Sequence, residues 1–518
     1  MTIDLKKQLY RETQASIIRM LFRLNELLTP PTTVEWTLLL FILTGLLVCV
    51  VASELIRKHF HWPAEVTRKF VHITVGFLIF FSPMLFQSAL IPLLLSSFAV
   101  AIMAIAVRTG LLVGLHGTSR FSYGTIFYPF SFFVLILLFW NEHPEIISLS
   151  MVSLATGDAA AAMVGESFRS VREYRLTSDK KSIEGSITMF AVTSITLFCS
   201  MIFLGLQTLH SLGYLAAIAM VSASIATAWE ALSSKGLDNF TIPLSVAFVL
   251  SFYLIPSQMQ DPNRFTIGVF LSLLIAIASY YFKFLTASGS VAAFLLASTI
   301  YGFGGWQWTV PIVTFFVLSS LLSKAGKKRK EQFEHLFEKT STRDWGQVAA
   351  NGGIAGILIL AQYAFPDENF YPAYLGAIAA VTADTWGTEI GIWFGGKTIS
   401  LSRFKVVEPG TNGGISLAGF IGGTVGALIA SASAFPWAAT ERMILIATLS
   451  GIIGSFFDSM LGGTVQSIYQ CSICSKYTER KLHCGSATVF IKGIRWMTND
   501  AVNLVCALAG AIVAWGLY

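Results

Sequence analysis

Residues 36–56 read Trp-Thr-Leu-Leu-Leu-Phe-Ile-Leu-Thr-Gly-Leu-Leu-Val-Cys-Val-Val-Ala-Ser-Glu-Leu-Ile, and only Glu54 among them is charged. As a helix, a run of this length crosses a hydrocarbon layer of about 30 Å. Comparable runs follow at 70–86, 88–107, 123–140, 146–164, 187–206, 211–230 and 240–256. A second series lies at 265–282, 288–303, 307–323, 347–364, 372–393, 414–433, 441–461 and 500–517. Inside lipid the backbone must satisfy its own hydrogen bonds, and runs this long do so as helices rather than barrel strands. The expected fold is therefore all-α, a polytopic transmembrane helical bundle of about sixteen spans in two eight-span halves. Composition agrees. The 518 residues are 54% hydrophobic and 12% charged, with a mean hydropathy of +0.67, whereas soluble domains carry about 25% charged residues.

Charge in the loops gives the spans a side. Lys and Arg concentrate in 57–69, 108–122, 165–186 and 324–346, while the alternate loops 82–88, 141–145, 207–211, 257–263 and 365–371 are neutral or acidic. Basic loops stay in the cytoplasm, so the net charge of +6 reports topology and not a nucleic-acid partner. Residues 1–35 have no uninterrupted apolar core of the signal-peptide kind. Leu5, Leu9, Ile17, Met20, Leu21, Leu24 and Leu28 fit one face of an interfacial amphipathic helix. With sixteen spans counted, either this basic tail falls on the non-cytoplasmic side or one span among the first few is miscounted. No plastid transit segment is read, which favours a bacterial cytoplasmic membrane.

The stretch 257–263 divides the chain, and the two sides share a pattern. Residues 156–165 read Thr-Gly-Asp-Ala-Ala-Ala-Ala-Met-Val-Gly, followed by Lys-Ser-Ile-Glu-Gly-Ser at 181–186. Residues 382–391 read Thr-Ala-Asp-Thr-Trp-Gly-Thr-Glu-Ile-Gly, followed by Pro-Gly-Thr-Asn-Gly-Gly-Ile-Ser at 409–416. In each half Thr-small-Asp lies on the fifth span, a glycine stands seven residues beyond the aspartate, and a glycine-bearing polar loop leads into the sixth span.

Asp158 and Asp384 sit within apolar spans near their cytoplasmic ends, where a carboxylate is costly unless paired, hydrated or bound to a cation. A plain helix–helix hydrogen bond is the structural alternative. In the first half, Lys180, Lys181, Ser182, Glu184 and Gly185 offer cations, a hydroxyl, a carboxylate and flexible backbone, a set suited to phosphate. Asp158 and Glu184 are the expected Mg²⁺ ligands, since Mg²⁺ takes one or two carboxylates beside phosphate oxygens. Arg68, Lys69 and His72 open the second span, with His72 one turn from Arg68 on the same helical face; a snorkelling basic anchor is the alternative. Asp238 and Asn239 precede the eighth span, where they serve as a cap or as part of the site. In the second half Asp384 and Glu389 are the expected Mg²⁺ ligands, and with the loop Thr411-Asn412-Gly413, Asp458, Gln347, Asn351 and Asn503 they form the parallel set. Cys471, Cys474, His483 and Cys484 are four soft ligands in one loop, suited to a structural Zn²⁺; free thiols are the alternative.

The first half, about 36–256, resembles the dolichol kinase and phytol kinase family. The resemblance is carried by Arg68-Lys69-x-x-His72, Asp158-x-x-Ala161-x-x-x-Gly165, Lys180-Lys181-Ser182-Ile183-Glu184-Gly185 and Asp238-Asn239. It implies CTP-dependent phosphorylation of an isoprenoid alcohol, with the nucleotide at the Asp-to-Glu-Gly region. One departure is Arg169, where that family often carries a second glycine. The second half, about 265–518, looks like the membrane family that includes plant phytyl-phosphate kinase. Its matching features are Asn351-Gly352-Gly353, Asp384-Thr385-Trp386-x-x-Glu389, Gly410-Thr411-Asn412-Gly413-Gly414, Asp458-Ser459 with Gly462-x-x-x-Gln466, the Cys/His loop and Asn499-Asp500-x-x-Asn503. That resemblance implies phosphorylation of an isoprenyl monophosphate.

The expected protein is a bifunctional membrane lipid kinase with Mg²⁺ and CTP as its cofactor and donor. In that expectation Asp158, Glu184, His72, Asp238, Asp384 and Asp458 carry catalysis. Lys180, Lys181, Ser182, Gly185, Arg68, Lys69, Thr411, Asn412 and Gly413 hold the nucleotide. Two other readings stand beside it: a secondary transporter, which shares repeats and intramembrane acids, and a CTP-dependent lipid cytidylyltransferase.

Overall fold

The computed structural model describes residues 27–61, 64–109, 122–167, 171–255, 261–326, 342–402, 404–437 and 440–518. The expected amphipathic segment lies almost wholly outside them, as does Arg169. The chain forms two compact units, Met1–Gln258 and Met259–Tyr518.

In the first unit the helices are α1 (Thr33–Phe60), α2 (Ala64–Leu85), α3 (Leu90–Thr109), α4 (Gly124–Phe139), α5 (Pro144–Ser167), α6 (Ile183–Phe203), α7 (Leu212–Leu232) and α8 (Asp238–Leu254). Between α5 and α6 a short hairpin pairs β1 (Glu173–Tyr174) with β2 (Lys181–Ser182), antiparallel. The second unit holds α9 (Pro262–Tyr281), α10 (Ala287–Ala325), α11 (Trp345–Ala364), α12 (Tyr371–Phe394), α13 (Leu417–Ala432), α14 (Glu441–Thr464) and α15 (Asn499–Leu517). Strands β3 (Thr398–Ser400), β4 (Val406–Val407) and β5 (Gly414–Ser416) form a small sheet before α13. Strands β6 (Ile468–Gln470), β7 (Tyr477–Thr478), β8 (Leu482–His483), β9 (Ser486–Ala487) and β10 (Val489–Lys492) fill the loop before α15.

Every expected span falls on one of these helices. The spans read at 288–303 and 307–323 are the two arms of α10, joined without a loop at Gly305, whose φ of 59° is closed to most side chains. Among the described residues, nine helices are long and apolar enough to cross a membrane. The helices are the inverse of a soluble protein's: large apolar side chains face outward, such as Phe41 (71% exposed), Phe98 (66%) and Phe270 (61%), where lipid can cover them. The interior combines buried hydroxyl residues such as Ser131, Ser148, Ser150, Ser153 and Ser222 with large apolar ones such as Leu135, Ile146 and Met189. Ser148 donates its hydroxyl across to the Phe80 carbonyl at 2.7 Å. Glu35 is a buried anchor: it accepts from the backbone N–H groups of Thr32, Gln87 and Ser88 at 2.7–3.0 Å, tying the start of α1 to the α2–α3 turn.

Each unit is built around its aspartate-bearing helix. In the first, α5 packs against α2, α6, α8 and α4; in the second, α12 packs against α13, α14, α15 and α11. Glycines permit that enclosure. A Cβ on Gly423, Gly451 or Gly510 would lie 2.6–2.8 Å from an atom of α12 or closer. The buried cluster at α12 includes its own Tyr374, Ile378 and Val381 with Trp308 and Phe315 of α10, Ala430, Ala447 and Ala507.

Candidate functional sites

The repeated pattern has a repeated geometry. In the first unit Ser182 caps α6, accepting the Gly185 N–H at 3.1 Å. In the second, Ser416 caps α13, accepting the Gly419 N–H at 3.1 Å. A Cβ on Gly165, seven residues after Asp158, would lie 2.9 Å from Ser182 Oγ; one on Gly391, seven after Asp384, would lie 3.0 Å from Ser416 Oγ. A Cβ on Gly185 would meet the Ala161 carbonyl oxygen at 3.1 Å, and one on Gly419 the Gly387 carbonyl oxygen at 2.6 Å. The structure thus pairs Ser182 with Ser416 and Gly185 with Gly419. The sequence comparison had set the 181–186 stretch against 409–416; the β3–β4 hairpin, inserted in the second unit, shifts that match.

In the first unit five expected residues come together. Lys69 Nζ donates to Asp158 Oδ2 at 2.5 Å, both largely enclosed. Lys181 Nζ meets Glu230 Oε1 at 2.7 Å and Asp238 Oδ2 at 3.4 Å. His72 lies close enough to Asp158 for a direct charge interaction, and its ring is 4.5 Å from that of Tyr128. Burial pulls the Lys181 ammonium down, but Glu230 and Asp238 prevail and hold its pKa above the usual lysine range. Asp238 is not a helix cap: its Oδ1 accepts from Asn239, and its Oδ2 faces Lys181. Arg68 lies on α2, but its side chain is outside the described residues.

Two expectations are corrected here. Glu184 does not join Asp158, because its carboxylate takes Arg172 at 2.9 Å on the outer surface. Lys180 does not join Lys181; it pairs with Glu173 at 2.8 Å and is exposed. Lys181 stands on β2 and meets Glu230 and Asp238, Lys180 precedes that strand, and Glu184 lies in the first turn of α6 beside Arg172. Ser182 and Gly185 serve the α5–α6 contact. In this structure Asp158 is met by Lys69 and Glu184 by Arg172. The partner that sequence reading left out of the site is Glu230, on α7, which lies 49 residues from Lys181.

In the second unit the expected residues line one cavity of about 230 Å³. Asp384 on α12 and Asp458 on α14 face each other within hydrogen-bond reach. Asp458 Oδ2 is buried with no hydrogen-bond partner. Two facing carboxyls need a proton or a cation between them. The same walls hold Glu389, Thr411, Asn412, Gly413, Gln347, Asn351 and Asn503. Glu389 accepts the Ser323 hydroxyl at 2.7 Å, so the close partner of Asp384 is Asp458 rather than Glu389. Gly413 has φ +75°, and a Cβ there would lie 2.5 Å from the Ser459 carbonyl oxygen; the loop can approach α14 only as glycine. The donor set fits a divalent cation, by the unpartnered Asp458 oxygen and the oxygen-rich walls.

Cys471, Cys474, His483 and Cys484 converge, their ligand atoms all within 4.8 Å of one another. His483 Nδ1 is 3.5 Å from Cys474 Sγ and 3.2 Å from Cys484 Sγ. A backbone hydrogen bond with Cys474 is the main influence drawing the Cys471 thiol down to about 6. Three thiols and an imidazole at this spacing fit tetrahedral Zn²⁺. The loop carrying them also delivers a residue that sequence reading missed. Glu479, between Cys474 and His483, is buried in the cavity wall. Its Oε1 accepts from Asn412 Nδ2 at 2.7 Å and Gln466 Nε2 at 2.6 Å. Arg343 also lines the cavity. Burial lowers its pKa to about 10, against the pull of Glu389, and leaves it charged at neutral pH.

The family model for "Integral membrane protein DUF92" matches residues 270–511. Protein PGR of Arabidopsis thaliana is 31% identical over 271 residues, covering 47% of this chain and 93% of that protein. Phytol kinase of Synechocystis is 30% identical over 204 residues, covering 39% of this chain and 84% of that protein. Protein VTE6, chloroplastic, of Arabidopsis thaliana is 25% identical over 237 residues, 44% of this chain and 64% of that protein. No solved structure matches the chain. With nine membrane-length apolar helices among the described residues and these relatives, the chain belongs to the integral membrane protein DUF92 family and has a phytol kinase among its kin.

Proposed function

We propose that the protein is a bifunctional membrane lipid kinase. The first unit phosphorylates an isoprenoid alcohol such as phytol, with CTP as donor. The second phosphorylates the resulting monophosphate to the diphosphate. The observation that carries this reading is the facing pair Asp384 and Asp458 in a cavity walled by the Thr411–Gly413 loop. Carboxylates, amides and a glycine loop suit a nucleotide–cation complex. The similarity to a phytol kinase supports the substrate class.

In the first unit the alcohol oxygen attacks the γ-phosphorus of the nucleotide. The bond from that phosphorus to the β-phosphate oxygen breaks, and the nucleoside diphosphate leaves. His72 or Asp238 takes the hydroxyl proton. Lys69 and Lys181 sit among the acids as fixed positive charge for the phosphates, and Asp158 with Glu230 holds them in place. Such transfer depends mainly on position and charge neutralisation. In the second unit a phosphate oxygen of the monoester attacks the γ-phosphorus in the same way, with no hydroxyl proton to remove. Mg²⁺ bound by Asp384 and Asp458 would neutralise charge on the transferred phosphoryl group. Zn²⁺ on the Cys/His cluster would be structural, fixing the loop that positions Glu479. Both sites would face the cytoplasm, as the basic loops imply.

The test is purified protein in nanodiscs with Mg²⁺, CTP or another nucleoside triphosphate, and a panel of isoprenoid alcohols and monophosphates, read by product mass. One added phosphate at each step is expected. Cytidylyl transfer would instead add a nucleotide mass, and vesicle uptake without nucleotide turnover would favour a carrier. Failure of every donor to phosphorylate either substrate would sink the proposal.

A further inference from the structure

A second cavity in the same unit, of about 160 Å³, lies among α9, α10 and α11. Its walls are nearly all apolar: Leu271 and Ile275 from α9, Leu296, Ile300 and Ile312 from α10, and Phe316 near the end of α10. It shares Arg343, Gln347 and Asn351 with the carboxylate-lined cavity. Gln347 and Asn351 are one turn apart on α11 and so lie on one face. An apolar chamber and a polar chamber therefore adjoin at three polar residues.

Arg343 is held at that junction. Its backbone N–H donates to the Phe284 carbonyl at 3.1 Å, and its carbonyl accepts the Thr286 N–H at 2.9 Å. The guanidinium lies 5.1 Å from the Phe315 ring centroid and 5.9 Å from that of Phe316. A Cβ on Gly289 would lie 2.2 Å from the Arg343 carbonyl oxygen, so a glycine is needed for this approach. Arg343 is the lone Lys or Arg in the described lining of either cavity, and it lines the carboxylate cavity together with the acids Asp384, Glu389, Asp458 and Glu479. A guanidinium recognises phosphate by paired N–H donors.

We infer that these joined cavities are the lipid-phosphate site of the second unit. A single-chain phosphate monoester lies with its apolar chain between α9, α10 and α11. Its phosphate rests on Arg343, with Gln347 and Asn351 beside it, at the entrance to the carboxylate cavity. The inference rests on the kinase reading above and adds to it the residues that select the substrate. Arg343 selects a phosphorylated head, so the free alcohol is refused; Ala293 and Ala297, small residues lining the apolar part, select the chain.

The experiment uses the full chain in nanodiscs and an isoprenyl monophosphate with a diazirine at its chain end. Peptides labelled on irradiation are mapped by mass spectrometry, without nucleotide or metal. Label competed by unlabelled isoprenyl monophosphate is expected within Leu271–Val313, and the alcohol analogue should give about tenfold less. Ala297→Phe should remove the competed label, and Arg343→Gln should abolish the preference for the phosphate. Competed label confined to other helices would overturn the inference, as would unchanged labelling in Ala297→Phe. Should Ala297→Phe fail to yield monodisperse protein, the wild-type label map and Arg343→Gln decide the matter. Turnover is measured in parallel. Labelling at this site with no phosphorylation by any donor supports the site and sinks the kinase reading. Phosphorylation that is unchanged in Ala297→Phe and Arg343→Gln does the opposite.

Discussion

Lys69 and Asp158 stand 89 residues apart and form an enclosed ion pair. Removing one member of such a pair leaves a buried charge, at a cost of about 3–5 kcal/mol, whereas removing both is far milder. Lys69→Met should therefore destabilise the protein by about that amount in chemical denaturation in mixed micelles. Lys69→Met with Asp158→Asn should recover most of the stability but not alcohol phosphorylation. Asp158→Asn alone should abolish alcohol phosphorylation and leave monophosphate phosphorylation intact, and Asp458→Asn should do the reverse. If both activities survive Asp158→Asn, the assignment of the first site is wrong. Asp158 stood out in sequence because a carboxylate at apolar depth is costly without a partner, while Lys69, His72, Lys181 and Asp238 stood out through the spacing and order of the family resemblance. Glu230 was visible as a residue but not as the partner of Lys181, and Arg343 carried no local signal at all. Their roles come from contacts with helices distant in sequence.

Helices α12 and α13 meet backbone to backbone at Gly387 and Gly419. Gly419→Ala would put a methyl group 2.6 Å from a carbonyl oxygen, and overpacking of this kind costs roughly 1–3 kcal/mol. Gly45→Ala makes the comparison, since nothing lies within 4 Å of its Cβ position; there a helix gains about 1 kcal/mol in propensity. The two variants should move stability in opposite directions in the same denaturation assay. The Cys/His loop offers an element-scale test of another kind. Wild-type protein should carry one zinc per chain by elemental analysis, and Cys474→Ser should lower that content sharply and reduce monophosphate phosphorylation. Glu479→Gln should keep the zinc and still lower that activity by about 10–100-fold, the usual effect of losing an orienting partner. Full zinc content in Cys474→Ser, or unchanged activity in Glu479→Gln, would refute the link between loop and cavity. The cysteine spacing was legible in sequence. The delivery of Glu479 was not, because it depends on how β6 pairs with β7 and where that sheet lies against the glycine loop.

At the scale of the whole molecule, the two units share a local design and differ in charge. The first sets Lys69 and Lys181 directly against its acids, while the second gathers Asp384, Glu389, Asp458 and Glu479 with Arg343. The second site should accordingly depend more steeply on divalent cation: chelation with EDTA should stop monophosphate phosphorylation first in a Mg²⁺ titration. Under the proposed function the intermediate is a diffusible lipid, so a mixture of Asp158→Asn and Asp458→Asn chains in one vesicle should produce diphosphate that neither variant makes alone. No diphosphate from the mixture, with each single activity intact, would show that the intermediate passes only within one chain.

The first apolar run, 36–56, and those after it determined by themselves that this is an all-helical membrane protein. Bilayer thickness and the need to satisfy the backbone leave few other outcomes for such runs. Thr-small-Asp with its later glycine likewise marked the central helix of each unit, because a buried acid and a close helix contact both need particular residue types. Tertiary structure alone decided which charges meet. Lys181 turns inward to Glu230 and Asp238 while Lys180 pairs with Glu173 at the surface, Asp384 faces Asp458, and Arg343 lines both cavities. Those pairings depend on helix rotation and loop placement, which periodicity along one segment does not encode.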